Sequence, residues 1–294
     1  MKVLVTNNTL RDIGGSETYA YSLIKELDKR SDIEVTGFSK QLGKISNLLA
    51  SDGIKIVDKV DDVYELVLAS HTSTIAFLKD IKAKRIQTCH GIYPPLEQPS
   101  PIVDIRVSIS NEVFNHLKNK GYDSTIIHNG VNCDRFKPVN KLNKSVKNIL
   151  SLSQSHELNI KLKNICDTLN IGFKSLNKFK NPIFNVENEI NKADLVISLG
   201  RGVYESMACG RNVLILDKRP YVIGPPLGDG LITDKNIDKF ILNNCSGRYS
   251  KHIYTDDEII NEINKYDPKL GEFNREYALQ NLNIKLQVDK YLNL

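Results

Sequence analysis

The sequence lacks the features that mark several classes of protein. It has no tryptophan, and no apolar run approaches the roughly 18 residues that a membrane-spanning helix needs. The cysteines are odd in number and scattered without the paired spacing of zinc ligands. We therefore expect reduced thiols, with neither a disulfide framework nor a metal site. The first residues already resemble a strand without an apolar signal region, so a cytoplasmic location is expected.

The charge balance is mildly basic. Lys and Arg number 40 against 35 Asp and Glu, which gives a net charge of +5. This excess is too small to indicate a nucleic-acid partner, and none is expected. It suits a phosphate-bearing ligand or an anionic membrane surface, so peripheral membrane contact stays open. With 294 residues, of which 40% are hydrophobic and 26% charged, the chain is long enough for two globular domains.

Short apolar runs alternate with amphipathic segments along the chain. This order is typical of an α/β protein with parallel sheets and helices on both faces. A polar, lysine- and asparagine-rich stretch at 138–147 predicts a domain boundary. We therefore expect one Rossmann-like domain at 1–140, a second at 141–268, and a helix at 269–294 that returns toward the first domain. The Gly/Pro-rich stretch 223–230 is predicted to be a loop.

Residues 194–210 form the most informative stretch. The apolar run 194–199 predicts a buried strand, 200–202 a tight glycine turn, and 203–209 a short helix that Gly210 ends. Such a unit points backbone N–H groups at one place. The helix dipole favours an anion there, and the missing Cβ atoms let the anion approach.

Two side chains add to this pattern. Arg201 can contribute a positive charge, and Glu205, one turn into the helix, can accept hydrogen bonds from vicinal hydroxyls. A phosphate beside a ribose is what a nucleotide presents. The stretch therefore predicts a site for a nucleotide or a nucleotide sugar.

A dinucleotide-binding fingerprint is the main competing interpretation. Gly200 and Gly202 match its first two glycines, and Asp217 mimics its acidic ribose ligand at the end of the next strand. Glu205, however, occupies the third glycine position, where close packing of helix on strand leaves no room for a side chain. The pattern favours a nucleotide sugar over NAD, and a purely structural turn stays an alternative.

A second glycine pair lies near the N-terminus. Gly14 and Gly15 follow the first predicted strand and precede a predicted helix, with Ser16 as its expected N-cap and Glu17 beside the positive helix end. The functional interpretation is close approach of a ligand phosphate to the two glycines. The structural alternative is an ordinary loop and cap.

Two histidines follow predicted strands, where ligands bind in open α/β sheets. His90 comes directly after the strand that ends at Cys89, and it can bind a sugar hydroxyl or share a proton. His71 follows the preceding strand and is the weaker candidate. A Cys89–His90 nucleophile pair is disfavoured, because neighbours on a strand point to opposite faces.

Taken together, these pieces resemble the group-1 retaining glycosyltransferases of GT-B architecture. They occur in the family's order and cover most of the chain. The matching segments are Gly14-Gly15-Ser16-Glu17, Cys89-His90-Gly91, Val107-Ser108-Ile109-Ser110, the run Ile127 to Pro138 with its Asn129-Gly130-Val131 core, Ala193-Asp194-Leu195-Val196, and Glu205-Ser206-Met207-Ala208-Cys209-Gly210.

The resemblance implies a nucleotide-diphosphate sugar donor in a cleft between two Rossmann-like domains. It implies transfer of the sugar, with retained anomeric configuration, to a glycan, lipid or small-molecule acceptor. By this resemblance Glu205 binds the ribose, while Gly202, Val203 and Tyr204 present backbone to the diphosphate. No cofactor is implied, and no metal, because arginine and the helix dipole can stabilise the leaving group.

Further roles follow from the same resemblance. Gly14 and Gly15 approach the phosphate from the other domain, and His90 contacts the transferred sugar. His90 and Arg201 are the expected catalytic residues, with Arg201 acting on the departing diphosphate.

The sequence departs from the family pattern at two places. The earlier of two glutamates is replaced by Ile197, and Ser153-Gln154 stand where Gly-Arg is expected. Lys161 or Lys163 is a candidate for the missing cation, and Arg201 is the better candidate to compensate for it. These departures keep a non-catalytic nucleotide-sugar binding module open as an alternative, beside an NAD-dependent oxidoreductase or epimerase.

Overall fold

The protein consists of two compact units. The computed structural model describes residues 1–60, 62–177, 179–180, 182–219 and 222–294. Unit 1 comprises Met1–Asn129 together with Ile284–Leu294, and unit 2 comprises Gly130–Asn283. Within the described ranges, each helix is too short or too polar to cross a bilayer.

Strands and helices alternate in both units, as the sequence predicts. The strands are β1 (Lys2–Thr6), β2 (Glu34–Phe38), β3 (Lys55–Val57), β4 (Leu66–Ala69), β5 (Lys84–Cys89), β6 (Ile105–Ser108), β7 (Thr125–Ile126), β8 (Asn148–Ser151), β9 (Gly172–Ser175), β10 (Leu195–Ser198), β11 (Asn212–Asp217) and β12 (Leu227–Leu231). The helices are α1 (Gly15–Asp28), α2 (Lys44–Ser51), α3 (Thr72–Ile75), α4 (Asn111–Asn119), α5 (His156–Thr168), α6 (Val186–Ile190), α7 (Arg201–Ala208), α8 (Ile237–Ile241), α9 (Asp256–Asn264), α10 (Pro268–Asn281) and α11 (Ile284–Leu292).

Unit 1 is built on a parallel sheet with strand order β3-β2-β1-β4-β5-β6-β7. Its central strands are almost entirely buried, as expected of a sheet covered on both faces. The strand order reverses between β1 and β4. The carboxyl ends of these two strands therefore flank the crevice in which open α/β sheets bind ligands.

The sheet of unit 2 has the order β12-β11-β10-β8-β9. Strands β8 to β11 are parallel, and β12 runs antiparallel to β11. Here the order reverses between β8 and β10. The segments that follow these two strands, including the glycine turn at 200, therefore lie at the switch point of this sheet.

The two units divide at residue 129/130 instead of the expected 140. Val131, Cys133 and Phe136 are part of the buried core of unit 2. The segment after them is held by the buried carboxylate of Asp194. This carboxylate accepts hydrogen bonds from the backbone amides of Asn143, Lys147 and Asn148 at 2.8–3.0 Å. The side chain of Asn143 donates to the same carboxylate at 2.9 Å, so this segment compensates the buried charge.

The sequence predicted a loop over the Gly/Pro-rich stretch 223–230, and the structure shows that this stretch is only partly a loop. Its end, together with Leu231, forms β12. A Cβ on Gly228 would lie 2.7 Å from the carbonyl oxygen of Ile215 and 2.8 Å from the ring of Tyr254. Gly230 has φ +98°, which favours glycine. Glycine is present in β12 because the backbone of β11 and the ring of Tyr254 pack closely against it. A strand that is rich in glycine for this reason has a sequence that resembles a turn.

The C-terminal segment forms two helices instead of the predicted single one. The break at Leu282 separates α10, which lies in unit 2, from α11, which lies in unit 1. The buried hydroxyl of Tyr291 on α11 forms hydrogen bonds with Thr88 at 2.6 Å and with Tyr19 at 3.3 Å. These bonds join the last helix of the chain to β5 and α1.

The close packing at Gly228 generates a stability prediction. We expect Gly228→Ala to lower the free energy of unfolding by about 1–3 kcal/mol, because the added methyl group meets backbone that cannot move aside. Gly15→Ala is the matched control, since a Cβ there meets no atom within 4 Å. Urea unfolding followed by circular dichroism measures both. Equal stability of the two variants would contradict the packing argument.

Candidate functional site

The turn after β10 depends on Gly200. This residue has φ +56° and ψ −126°, a conformation that suits glycine. Its N–H donates to the carbonyl oxygen of Cys245 at 2.9 Å, and its own carbonyl accepts from the amide of Val203 at 2.9 Å. The turn is therefore a single residue, and α7 begins at Arg201, two residues before its predicted start. Gly210, with φ +67°, ends the helix as predicted.

The backbone groups assigned to a diphosphate are used differently from the prediction. The amides of Val203 and Tyr204 both donate to the carbonyl of Gly200, at 2.9 and 3.4 Å, and so close the first turn of α7. A Cβ on Gly202 would clash with the Ser198 hydroxyl. The missing Cβ of Gly202 therefore lets the side chain of Ser198 on β10 lie close against α7. The groups that can bind an anion at this turn are therefore the first residues of α7 and nearby side chains.

Arg201 and Glu205 lie together on α7. Nε of Arg201 donates to Oε1 of Glu205 at 2.7 Å, and the side chains are only 14% and 10% exposed. The sequence assigned these residues to neighbouring parts of one ligand, and the structure joins them as an i, i+4 ion pair. A carboxylate has several acceptor positions, so this bond orients Glu205 without exhausting it.

Ile197 lies in β10 and is fully buried in the apolar core of unit 2. The position at which the family often has a glutamate therefore contributes packing in this chain.

A polar cluster that the sequence analysis missed lies at the carboxyl ends of β8 and β11. Asp217, at the end of β11, accepts hydrogen bonds from the Ser153 hydroxyl and, at 3.4 Å, from the Gln154 amide. Arg219 donates to the same carboxylate at 3.3 Å and to the carbonyl oxygen of Leu199 at 3.2 Å. The only sequence signal was the Asp-Lys-Arg order after an apolar strand.

These contacts argue against Asp217 as the acidic ribose ligand of the dinucleotide interpretation. Its carboxylate is 0% exposed and is surrounded by protein hydrogen-bond donors. Burial raises the pKa of Asp217 above its ordinary value, against the opposing effects of Arg219 and Ser153. A carboxylate in this setting positions loops and does not face a ribose.

The lysines considered as substitute cations have other partners. Nζ of Lys161 donates to the carbonyl oxygen of Tyr254 at 2.8 Å and lies 2.8 Å from the carboxylate of Asp256, so it joins α5 to the start of α9. Lys163 pairs with Asp167 on the surface of α5 at 2.6 Å. Neither ammonium is hydrogen-bonded to the turn at Gly200.

In unit 1, the glycine pair lies at the start of α1. Gly14 is the N-cap in place of the predicted Ser16, and its carbonyl accepts from the amide and hydroxyl of Thr18. A Cβ on Gly14 would clash with the carboxylate of Glu17, whereas a Cβ on Gly15 meets open space. Of the two glycines, Gly15 is the one whose missing side chain leaves room for a ligand.

His90 is half-buried just beyond the end of β5. Its ring contacts the ring of Tyr19 edge-on, with centroids 4.6 Å apart and an interplanar angle of 75°. Tyr19 is held through its hydroxyl by Tyr291 and by Gln287, the latter at 3.3 Å. Helix α11 thus supports the residue against which His90 packs.

His71 follows β4 at the switch point of unit 1. Its Nδ1 accepts a hydrogen bond from the backbone amide of Asn8 at 3.3 Å, and the residue is 5% exposed. Burial lowers the pKa of His71 from 6.5 to about 4. The imidazole is therefore neutral near pH 7, with Nε2 as its N–H donor.

Comparison with known proteins identifies the architecture. No protein-family model and no curated protein matches the sequence. A solved glycosyltransferase from Rickettsia africae ESF-5 superposes with a TM-score of 0.64 at 17% identity, covering 99% of this chain and 97% of that one. HepE from Anabaena, solved with UDP and glucose, gives 0.65 at 13% identity over 100% and 99% of the two chains. MurG from Acinetobacter baumannii gives 0.52 at 14% identity over 100% and 99%.

The chain has the GT-B fold. The predicted fold class, two Rossmann-like units each with a parallel or mostly parallel sheet, is thereby confirmed. Because the sequence identities are this low, the comparison shows the fold alone.

The buried His71 predicts a pH dependence of stability in this GT-B protein. Between pH 6.5 and about 4 the unfolded chain binds more protons at His71 than the folded chain, so stability is lost as the pH falls through this window. Relative to His71→Asn, the wild type should lose roughly 2–3 kcal/mol between pH 7 and pH 4. Urea titrations at several pH values measure this difference. Parallel pH profiles of the two proteins would contradict a buried neutral imidazole.

Proposed function

We propose that this chain is a glycosyltransferase. It moves a sugar from a nucleoside-diphosphate donor, with retention of configuration, to a glycan, lipid or small-molecule acceptor. The observation that carries the proposal is the Gly200 turn at the switch point of unit 2, with Arg201 and Glu205 paired beside it. The GT-B neighbours support it, since HepE has been solved with UDP and with UDP-glucose.

The chemistry places negative charge at the start of α7. The bond between the anomeric carbon and the diphosphate oxygen breaks, and its electron pair stays on the leaving group. A new bond forms between the anomeric carbon and an acceptor oxygen, whose proton is released. The helix dipole and Arg201 stabilise the departing diphosphate. Glu205, oriented by Arg201, accepts hydrogen bonds from the ribose hydroxyls.

Unit 1 supplies the remaining proposed contacts. His90 contacts the transferred sugar, with its ring supported by Tyr19. Gly15 approaches the phosphate, and Gly14 shapes the start of α1 beside it. Retention is proposed because the motifs resemble those of the retaining family, and peripheral contact with a membrane is part of the proposal through lipid acceptors.

Two other functions were open in the sequence. The NAD-dependent oxidoreductase or epimerase is disfavoured, because the carboxylate of Asp217 is buried among Ser153, Gln154 and Arg219. A non-catalytic nucleotide-sugar binding module is the second candidate. The observation that favours it is Ile197, a core residue where the family often has a sugar-binding glutamate.

A thermal-shift screen tests the proposal. The purified chain is heated with UDP, GDP and ADP, with their glucose conjugates, and with NAD. We expect a nucleoside diphosphate and its sugar conjugate to raise the melting temperature, because a ligand that binds only the folded state stabilises it. Release of the nucleoside diphosphate in the presence of acceptors then separates the transferase from the binding module. Stabilisation by NAD alone would refute the proposal.

Substitutions at Glu205 and His90 should separate binding from turnover. Glu205→Ala should weaken binding of the nucleoside diphosphate by roughly 1–3 kcal/mol, because a charge-assisted hydrogen bond to the ribose is lost. His90→Ala should leave that affinity unchanged and lower kcat, because His90 contacts only the sugar. Calorimetry and initial rates measure the two effects, with circular dichroism as a check of folding. The opposite pattern would reverse the two assignments.

A further inference from the structure

Arg219 lies where the sequence pattern expects no cation. It follows β11, whereas the family pattern has its positive charges after β8 and on α5. Its guanidinium is anchored twice, to the carboxylate of Asp217 at 3.3 Å and to the carbonyl oxygen of Leu199 at 3.2 Å. Leu199 immediately precedes Gly200. The guanidinium is therefore one hydrogen bond away from the turn that begins α7.

The anchoring leaves Arg219 with donor capacity. A guanidinium has more N–H groups than the two that these bonds use. The Arg219 side chain is 22% exposed, whereas that of Asp217 is 0% exposed. The carboxylate is thus the buried member of the ion pair, and the arginine is the member that solvent can reach.

The environment of Asp217 explains how the arginine is held. Ser153 and Gln154, in the loop after β8, donate to this carboxylate together with Arg219. The same loop is fixed further, because Asn177 donates to the carbonyl oxygen of Gln154 at 3.1 Å. Arg219 is therefore preorganised at the switch point between β8 and β10, and binding an anion costs it little side-chain entropy.

We propose that Arg219 is a second phosphate-binding arginine, which acts beside Arg201 on the diphosphate of the donor and takes the role first considered for Lys161. This inference rests on the proposed function. Asp217 acts through Arg219 and is a positioning residue. Arg201 is the first residue of α7 and Arg219 follows β11, and each has its own acidic partner.

The test compares ligands with and without phosphates. Calorimetry measures the affinities of wild type and Arg219→Gln for UDP, GDP and ADP, and for uridine, guanosine and adenosine. We expect the variant to bind the preferred diphosphate roughly tenfold or more weakly, because a charged hydrogen-bond donor is lost. Binding of the corresponding nucleoside should be unchanged. Lys192→Ala is the charge-matched control, since Lys192 pairs with Glu189 at 2.9 Å before the opposite end of β10.

The outcomes separate this inference from the function on which it rests. If the wild type binds a diphosphate and Arg219→Gln binds it equally well, the assignment of Arg219 falls and the proposed function stands. If the wild type binds no nucleoside diphosphate, the proposed function falls first. Should Arg219→Gln fail to fold because Asp217 is left unpaired, the double variant Asp217→Asn/Arg219→Gln removes both charges of the pair. Unchanged diphosphate affinity in that variant would equally overturn the assignment.

Discussion

The buried carboxylate of Asp217 is the constraint around which the edge of unit 2 is organised. A carboxylate without exposure must be compensated by hydrogen bonds, or its burial destabilises the fold. The donors come from the loop after β8 and from Arg219 beyond β11, so one side chain fixes segments that flank two strands. Asp194 and Asp229 do the same elsewhere in the unit, with the amides of 143–148 and of Ser250 as donors.

These buried aspartates make the proposed donor site rigid. Asp229 holds the loop at Ser250, and Cys245 in the same loop accepts the hydrogen bond of Gly200. The turn at Gly200 is thus held from outside α7 before any ligand binds. Preorganised donors of this kind stabilise developing charge without reorganising during the reaction. The positive charges are restrained as well, because Arg201 and Arg219 each have an acidic partner.

Unit 1 is also held by contacts between side chains at the ends of its strands. His71 is buried and uncharged near pH 7, and His90 packs against a tyrosine that α11 holds in place. The neutral imidazole of His71 accepts a hydrogen bond from the amide of Asn8 and so fixes the segment after β1.

The sequence by itself determined the α/β class and the strand, glycine turn and helix within residues 194–210. These features follow from local periodicity, glycine punctuation and helix capping, which act over a few residues. It failed at β12 and at the division near 130, because close packing against Tyr254 and burial of Phe136 depend on residues distant in the chain. Tertiary structure alone decided three features: the pairing of Arg201 with Glu205, the enclosure of Asp217 and the placement of Arg219. The physical reason is that a buried charge finds its hydrogen-bond partners only when separate strands meet at one edge of a sheet.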